Sequence, residues 1–256
     1  MSLNSHPTEF ETNSFWKPET DAMPDFWEGC FLLMNKPYGP SSFKIVHEIR
    51  KAITRNQHRK LKIGHAGTLD PLASGLLILA TGNFTRLLDQ FQALDKEFRV
   101  LLRLGYTRPS FDMVSGIQQY IHIPRIAEPS SLEFAKNKLT GEIFIKPPAH
   151  SAIKTNGKRA YQMARSGAEV KLDTKPMNIQ EFDLDVSHYP EIAFKIRCSK
   201  GTYIRSLAHE FGQITGYGAY LSALERSAIG PYSVQQAWKF DQLLKVLKHG
   251  NTRYMD

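Results

Sequence analysis

Residues 64–77 read Gly-His-Ala-Gly-Thr-Leu-Asp-Pro-Leu-Ala-Ser-Gly-Leu-Leu, which sets three glycines and a proline around one carboxylate, Asp70, between apolar segments. Glycine lets a backbone approach a ligand or a neighbouring chain closely, and Pro71 biases the residue before it towards extended backbone. Together they would fix a single carboxylate in a cleft. A plainer reading fits the same letters: Asp70 caps a helix whose first turn holds Pro71. The glycine spacing matches neither the dinucleotide nor the phosphate-loop signature, so neither class of nucleotide enzyme is indicated.

Upstream, residues 30–34 form a short apolar run that enters a Pro/Gly turn at 36–40, the pattern of a buried strand and its exit. A helix is predicted next, capped by Ser41 or Ser42, with Phe43, Val46, Ile49 and Ile53 on its apolar face and Lys44, Glu48 and Lys51 in water. The basic stretch 50–62 reads as an exposed connection. Downstream of the apolar run 75–82, Asn83 is placed to cap a helix carrying Leu87, Leu88, Phe91 and Leu94. Phe98, Val100, Leu102 and Leu104 then alternate with Arg99 and Arg103, the period of a half-buried strand, and 192–199 repeats that period. Further strands are predicted at 178–186 and 228–234, and helices near 131–139, 159–165, 203–211 and 240–248. Strands interspersed with helices of uneven length, without a repeated βαβ unit, predict an α+β fold with a mixed sheet.

A chain of 256 residues with 41% hydrophobic content can bury a core, at the upper end of what one domain holds. Residues 1–28 lack an apolar signal region and read as an N-terminal tail that docks through Phe15, Trp16 and Trp27; residues 29–256 read as one large domain. The longest apolar run is far short of a membrane span. Cys30 and Cys198 stand far apart with no metal-type spacing, so neither a disulfide framework nor a zinc site is indicated, and a cytoplasmic location fits. The 33 Lys and Arg against 25 Asp and Glu, a net charge of +8, favour a polyanionic partner.

Three more blocks carry chemistry. Residues 198–208 turn from a strand into a helix and present Lys200, Tyr203 and Arg205; an Arg there suits a ligand anion or a buried carboxylate, or is a solvated surface residue. Residues 35–42, Asn-Lys-Pro-Tyr-Gly-Pro-Ser-Ser, carry Lys36. Residues 145–170 interleave Lys146, Lys154, Lys158, Arg159 and Arg165 with Gly157 and Tyr161, which suits a segment closing on an RNA backbone as well as it suits a plain loop.

Taken together, and in this order along the chain, these blocks resemble the TruB family of tRNA pseudouridine-55 synthases over residues 29 to about 245. The resemblance implies the pseudouridine synthase fold, a mixed and mostly antiparallel sheet flanked by helices. It implies that uridine 55 of the tRNA T-loop is isomerised to pseudouridine, without cofactor or metal. Asp70 maps to the essential carboxylate and Arg205 to its paired guanidinium, which would keep a desolvated carboxylate ionised. His65 maps to the residue that holds the flipped-out loop. Tyr203 and Leu224 map to the pocket lining, Lys36 to the lysine that orders the site, and 145–170, with Lys154 and Arg159, to a thumb loop that is mobile until RNA binds. The family's tyrosine after the motif Asp is here Phe98, which keeps an aromatic face but no hydroxyl and so implies reduced or altered activity. Residues 240–256 are too few for a PUA-type RNA-binding domain, so binding is expected to lean on the thumb and to weaken steeply with salt. A monomer without membrane association is expected. The alternatives are a non-catalytic tRNA-binding or tRNA-folding protein, and a pseudouridine synthase for another RNA.

Overall fold

The computed structural model describes residues 14–20, 22–55, 57–126, 128–151, 153–155, 158–166, 170 and 172–253. The chain falls into two compact units, one of Met1–Leu94 with Glu225–Asp256, the other of Asp95–Leu224.

In the first unit, β1 (Phe15–Trp16) runs parallel to β2 (Phe31–Lys36), and helix α1 (Ser42–Ile53) follows. Strand β3 (Ile63–Ala66) and β2 both pair antiparallel with β4 (Ala73–Thr81). Strands β2 and β4 are covered on both faces, which is why they read as continuous apolar runs and not as alternation. Ser41 caps α1, its Oγ accepting from the Lys44 N–H at 3.2 Å. The buried stripe is Ile45, Val46, Ile49, Ala52 and Ile53, packed in one cluster with Trp238, Leu243 and Leu247. Phe43, placed on that stripe by its spacing from Val46, is instead 72% exposed. The helix expected from Asn83 is split into a 3₁₀ turn, Gly82–Leu87, and α2 (Leu88–Ala93), which buries Leu88 and Phe91.

The second unit is built on an antiparallel sheet with helices. Strand β5 (Lys96–Leu104) is followed by the small pair β6 (Tyr106–Thr107) and β7 (Gln119–Tyr120), by α3 (Pro129–Lys138) and by β8 (Gly141–Ile145). Strands β9 (Lys154–Thr155) and β10 (Lys158–Arg159) form a hairpin that leads into α4 (Ala160–Arg165). Strands β11 (Lys175–Asp185) and β12 (Glu191–Cys198) complete the order β8, β11, β12, β5, and α5 (Ile204–Thr215) follows. The alternation predicted for β5 and β12 is observed, with the Phe194 ring meeting those of Phe182 and Phe211 edge to face.

The long strand β13 (Ala219–Ile229) carries the chain back into the first unit. Gly230, at φ 52°, ends it ahead of β14 (Tyr232–Ser233), so the strand expected over 228–234 is two strands with a turn between. Strand β15 (Trp238–Lys239) runs parallel to β2 and enters α6 (Phe240–Arg253). Trp238 Nε1 donates to the Trp16 carbonyl at 3.0 Å, joining the two ends of the chain within this unit. Parallel and antiparallel pairs thus occur together, the antiparallel ones predominating, in an α+β fold as expected. Cys30 and Cys198 are buried free thiols that burial pushes up to about 11. No helix among the described residues is long and apolar enough to cross a membrane.

Candidate active site

Asp70 lies in the first unit, in the turn between β3 and β4. Gly67 reverses the chain at φ 76°, and the Ala73 N–H closes the turn on the Asp70 carbonyl at 3.1 Å. No helix begins at Asp70: the residues from Ala73 onward are extended and buried in β4, which disposes of the helix-cap reading. The segment 35–42 wraps this turn. Ser42 Oγ accepts from the Leu69 N–H and donates to the Leu69 carbonyl, both at 2.9 Å, and the Gly39 N–H donates to the Pro71 carbonyl at 2.8 Å. Lys36, fully buried, donates from Nζ to the carbonyls of Pro37 at 2.9 Å, Pro40 at 2.8 Å and Pro71 at 3.4 Å. Its ammonium therefore organises the backbone on both sides of the turn.

A second buried cation, Arg226 on β13, is a site residue that the sequence reading missed. It is 3% exposed, and donates from Nε to the Leu76 carbonyl at 2.7 Å and from Nη2 to the Gly67 carbonyl at 3.0 Å. Those two carbonyls stand on either side of Asp70. The glycines of the motif now have a structural reason: Gly75 sits at φ 104°, and a Cβ there would lie 2.3 Å from the Arg226 carbonyl oxygen. Burial pushes the Arg226 guanidinium down to about 9, which leaves it a cation at neutral pH.

These charges act on their neighbours. Burial, with a smaller push from Arg226, takes Lys36 down from 10.5 to about 8, against the opposing pull of Asp70. His65, on β3, is lowered by burial and again by Arg226, so it is neutral at pH 7. Its Nδ1 is buried and has no hydrogen-bond partner among the described residues.

In the second unit, Arg205 stands in the first turn of α5 and is 7% exposed, not solvated. Its Nε lies 3.7 Å from Asp112 Oδ2, and its two Nη atoms donate to the carbonyls of Ser110 at 3.4 Å and His150 at 3.1 Å. Asp112 is held in turn: its Oδ1 accepts from Ser110 Oγ at 2.6 Å and from the Val114 N–H at 2.9 Å. Between them Phe111 takes the left-handed backbone, φ 62°, and stacks on His209 with ring centroids 3.9 Å apart. Asp112 also went unread in the sequence, although a carboxylate two residues beyond Ser110 is a turn signal. Beside it, a cavity of about 530 Å³ is lined by Phe111, Lys146, Ser206, His209 and Glu210.

Lys36, His65 and Asp70 are thus brought together in the first unit, whereas Phe98, Tyr203, Arg205 and Leu224 belong to the second. Phe98 is buried in β5 opposite Ile196, Tyr203 precedes α5 half-buried, and Leu224 is half-buried on β13. The side chains of Lys154 and Arg159, in the β9–β10 hairpin, lie outside the described residues, as do several positions of the expected thumb loop.

A family model described as the N-terminal domain of TruB family pseudouridylate synthases matches residues 51–204. The chain is 42% identical to tRNA pseudouridine synthase B of Flavobacterium johnsoniae over 215 residues, 83% of this chain and 93% of that protein. It is 42% identical to the protein of the same name from Chlorobaculum tepidum over 218 residues, 85% of this chain and 90% of the relative. Among solved structures, a Cbf5-Nop10-Gar1 complex contains a chain of the same fold, with TM-score 0.66 and 23% identity over 94% of this chain and 64% of that one. With the Asp70 segment inside the matched region, and relatives aligned over nearly their whole length, the chain belongs to the TruB family of pseudouridylate synthases.

Proposed function

We propose that the protein isomerises uridine 55 in the T-loop of tRNA to pseudouridine, with Asp70 as its catalytic carboxylate. The observation that carries the reading is the setting of Asp70: a turn held on one side by Lys36 and on both flanks by Arg226, in a chain whose relatives are named for tRNA pseudouridine synthesis. In the reaction the N-glycosidic bond breaks, the uracil turns and rejoins the sugar through carbon, and the atoms of the product are those of the substrate. Asp70 serves as the nucleophile at the sugar or as the base on a sugar proton. Arg205, buried in the first turn of α5, is assigned to the same reaction as the guanidinium partner of the catalytic carboxylate. His65, neutral and with Nδ1 unpaired, is suited to stack in the RNA loop once the target base is extruded. Tyr203, Leu224 and Phe98 line the base pocket, and Lys154 and Arg159 grip the backbone. The enzyme is a cytoplasmic monomer that needs no cofactor.

The test has two parts. In tRNA from cells lacking the gene, pseudouridine at position 55 is expected to be missing and all other sites retained; loss at another position would redirect the substrate assignment. With purified protein, Asp70→Asn is expected to abolish product while tRNA binding persists. A wild-type protein that binds tRNA but yields no pseudouridine would favour the RNA-folding alternative that Phe98 keeps in view.

A further inference from the structure

Phe43 is the one residue of the expected α1 core stripe that the fold leaves in water, 72% exposed, and Tyr38 just ahead of the helix is 57% exposed. Scattered apolar side chains on a surface need no explanation, so exposure alone carries little. Position and company carry more. Both aromatics are tied to the Asp70 turn through the backbone: Gly39, next to Tyr38, donates to the Pro71 carbonyl, and Ser42, next to Phe43, is bonded twice to Leu69. The two rings therefore stand on segments fixed to the residues on either side of Asp70.

The same helix face continues with cations. Phe43, His47 and Lys51 follow at four-residue intervals with Lys44 beside them, all exposed, and the Phe43 and His47 rings lie 21° from parallel with centroids 6.5 Å apart. Over residues 44–62 there are seven lysines and arginines and one carboxylate, Glu48, which is half-buried. An aromatic platform bordered by cations and almost free of carboxylates is the surface that single-stranded nucleic acid takes: bases stack on the rings while the phosphates are neutralised alongside. A second copy of this chain would bring its own net charge of +8 to the same patch.

We infer that the face made by Tyr38 and the α1 residues Phe43, Lys44, His47 and Lys51 binds the RNA substrate, stacking an unpaired base on the Phe43 and Tyr38 rings next to Asp70. The inference rests on the proposed function for the identity of the RNA. It fixes where the strand beside the target lies.

The experiment uses the full chain and a tRNA transcript, and compares wild type with Phe43→Ala, Phe43→Trp and the double variant Lys44→Glu/Lys51→Glu. Phe43→Ala is expected to weaken tRNA binding and lower kcat/KM on the order of tenfold, with Phe43→Trp close to wild type because it restores a stacking face. The double variant is expected to weaken binding and to flatten the dependence of log Kd on log salt by about one to two charges. Phe43 is exposed, so the melting temperature of Phe43→Ala should match wild type and lost binding will not be lost folding. Binding and kcat/KM within twofold of wild type in both the Ala and the double variants would overturn the inference, as would a change confined to self-association in sedimentation. If wild type binds tRNA without forming pseudouridine, the function falls while the binding comparison still decides the face.

Discussion

Arg226 Nη2 donates to the Gly67 carbonyl at 3.0 Å while its Nε donates to the Leu76 carbonyl at 2.7 Å, so one buried guanidinium holds the chain before and after Asp70. Hydrogen bonds from a charged donor contribute about 1.5–3 kcal/mol each, and removing the donor leaves two buried acceptors without it. Arg226→Met is expected to lower kcat at least tenfold with little change in KM for tRNA, since the turn that aims Asp70 loosens while the RNA-facing surface is untouched. Arg226→Lys, which keeps the charge and part of the bonding, should recover some of the loss. Single-turnover and steady-state rates check this, and wild-type kcat in Arg226→Met would show that the turn holds its shape without the clamp.

The close fit between Arg226 and the motif glycines separates two effects that a glycine substitution usually mixes. Gly75 and Gly39 both have left-handed backbone, φ 104° and 107°, but a Cβ on Gly75 would meet the Arg226 backbone at 2.3 Å, whereas around Gly39 nothing lies within 4 Å. Gly39→Ala should cost only the backbone strain, about 1–2 kcal/mol. Gly75→Ala adds a backbone clash that no rotamer relieves, and is expected to destabilise by more than 3 kcal/mol, roughly the range reserved for severe core damage. Denaturant unfolding of the two variants side by side makes the comparison; equal losses would mean that β4 and β13 can part enough to admit the methyl.

Where local pattern decides the outcome, the sequence was legible. A serine cap at 41 or 42, the alternation in β5 and β12 and the start of α5 near Arg205 all follow from short-range spacing, the structure choosing Ser41 as the cap. Phe43 shows the limit of that reasoning: its three-residue spacing from Val46 marks a rim position of the helix as readily as a core one, and only the packing of Trp238 and α6 against Ile45, Ile49 and Ala52 sets where the rim falls. The continuous apolar run after Asp70 could not be divided between strand and helix by period alone, which left the cap reading open. Arg226 was missed because its partners, Gly67 and Leu76, lie 159 and 150 residues away, and nothing next to it in sequence tells a buried cation from a surface one. The glycines at 67 and 75 were the available signal, since they announce that something approaches closely without saying what.

Lys36 sets a pH dependence whose sign differs between stability and activity. Its folded-state value, about 8, lies below the ordinary 10.5 because of burial, so between those values the native chain has released a proton that the unfolded chain still holds. The contribution of this group to stability therefore rises with pH across that window and sits at its lower plateau below 8. Activity should move the other way, because a neutral amine has two N–H groups for the three carbonyls of Pro37, Pro40 and Pro71. The expected result is a fall in kcat on the alkaline side with an apparent midpoint near 8 and no matching loss of melting temperature. Arg226→Gln removes a cation that depresses Lys36 and should shift the midpoint upward in whatever activity it retains. A rate that stays flat well above pH 9 would remove Lys36 from this role.

Phe98 poses the sharpest question about the chemistry. It is 7% exposed on β5, in register with Ile196, so its ring is fixed by the strand and a hydroxyl at the para position would be carried to one defined place. Phe98→Tyr thus adds a single oxygen with little freedom of its own. If the proton transfers of the isomerisation use a hydroxyl at this point, the variant should turn over faster than wild type, by up to the 10²–10⁴-fold typical of a positioned acid or base. If the aromatic face alone matters, kcat should stay within about twofold, the size of a modest packing adjustment to a near-isosteric ring. Phe98→Leu separates these cases from a simple filler role, because it preserves apolar volume and removes the face on which a base can stack. Single-turnover rates on tRNA for the three proteins decide the matter: a gain in Tyr assigns proton transfer to the hydroxyl, and equal Phe and Tyr rates with loss in Leu assign stacking to the ring. Equal rates in all three would remove residue 98 from the base pocket.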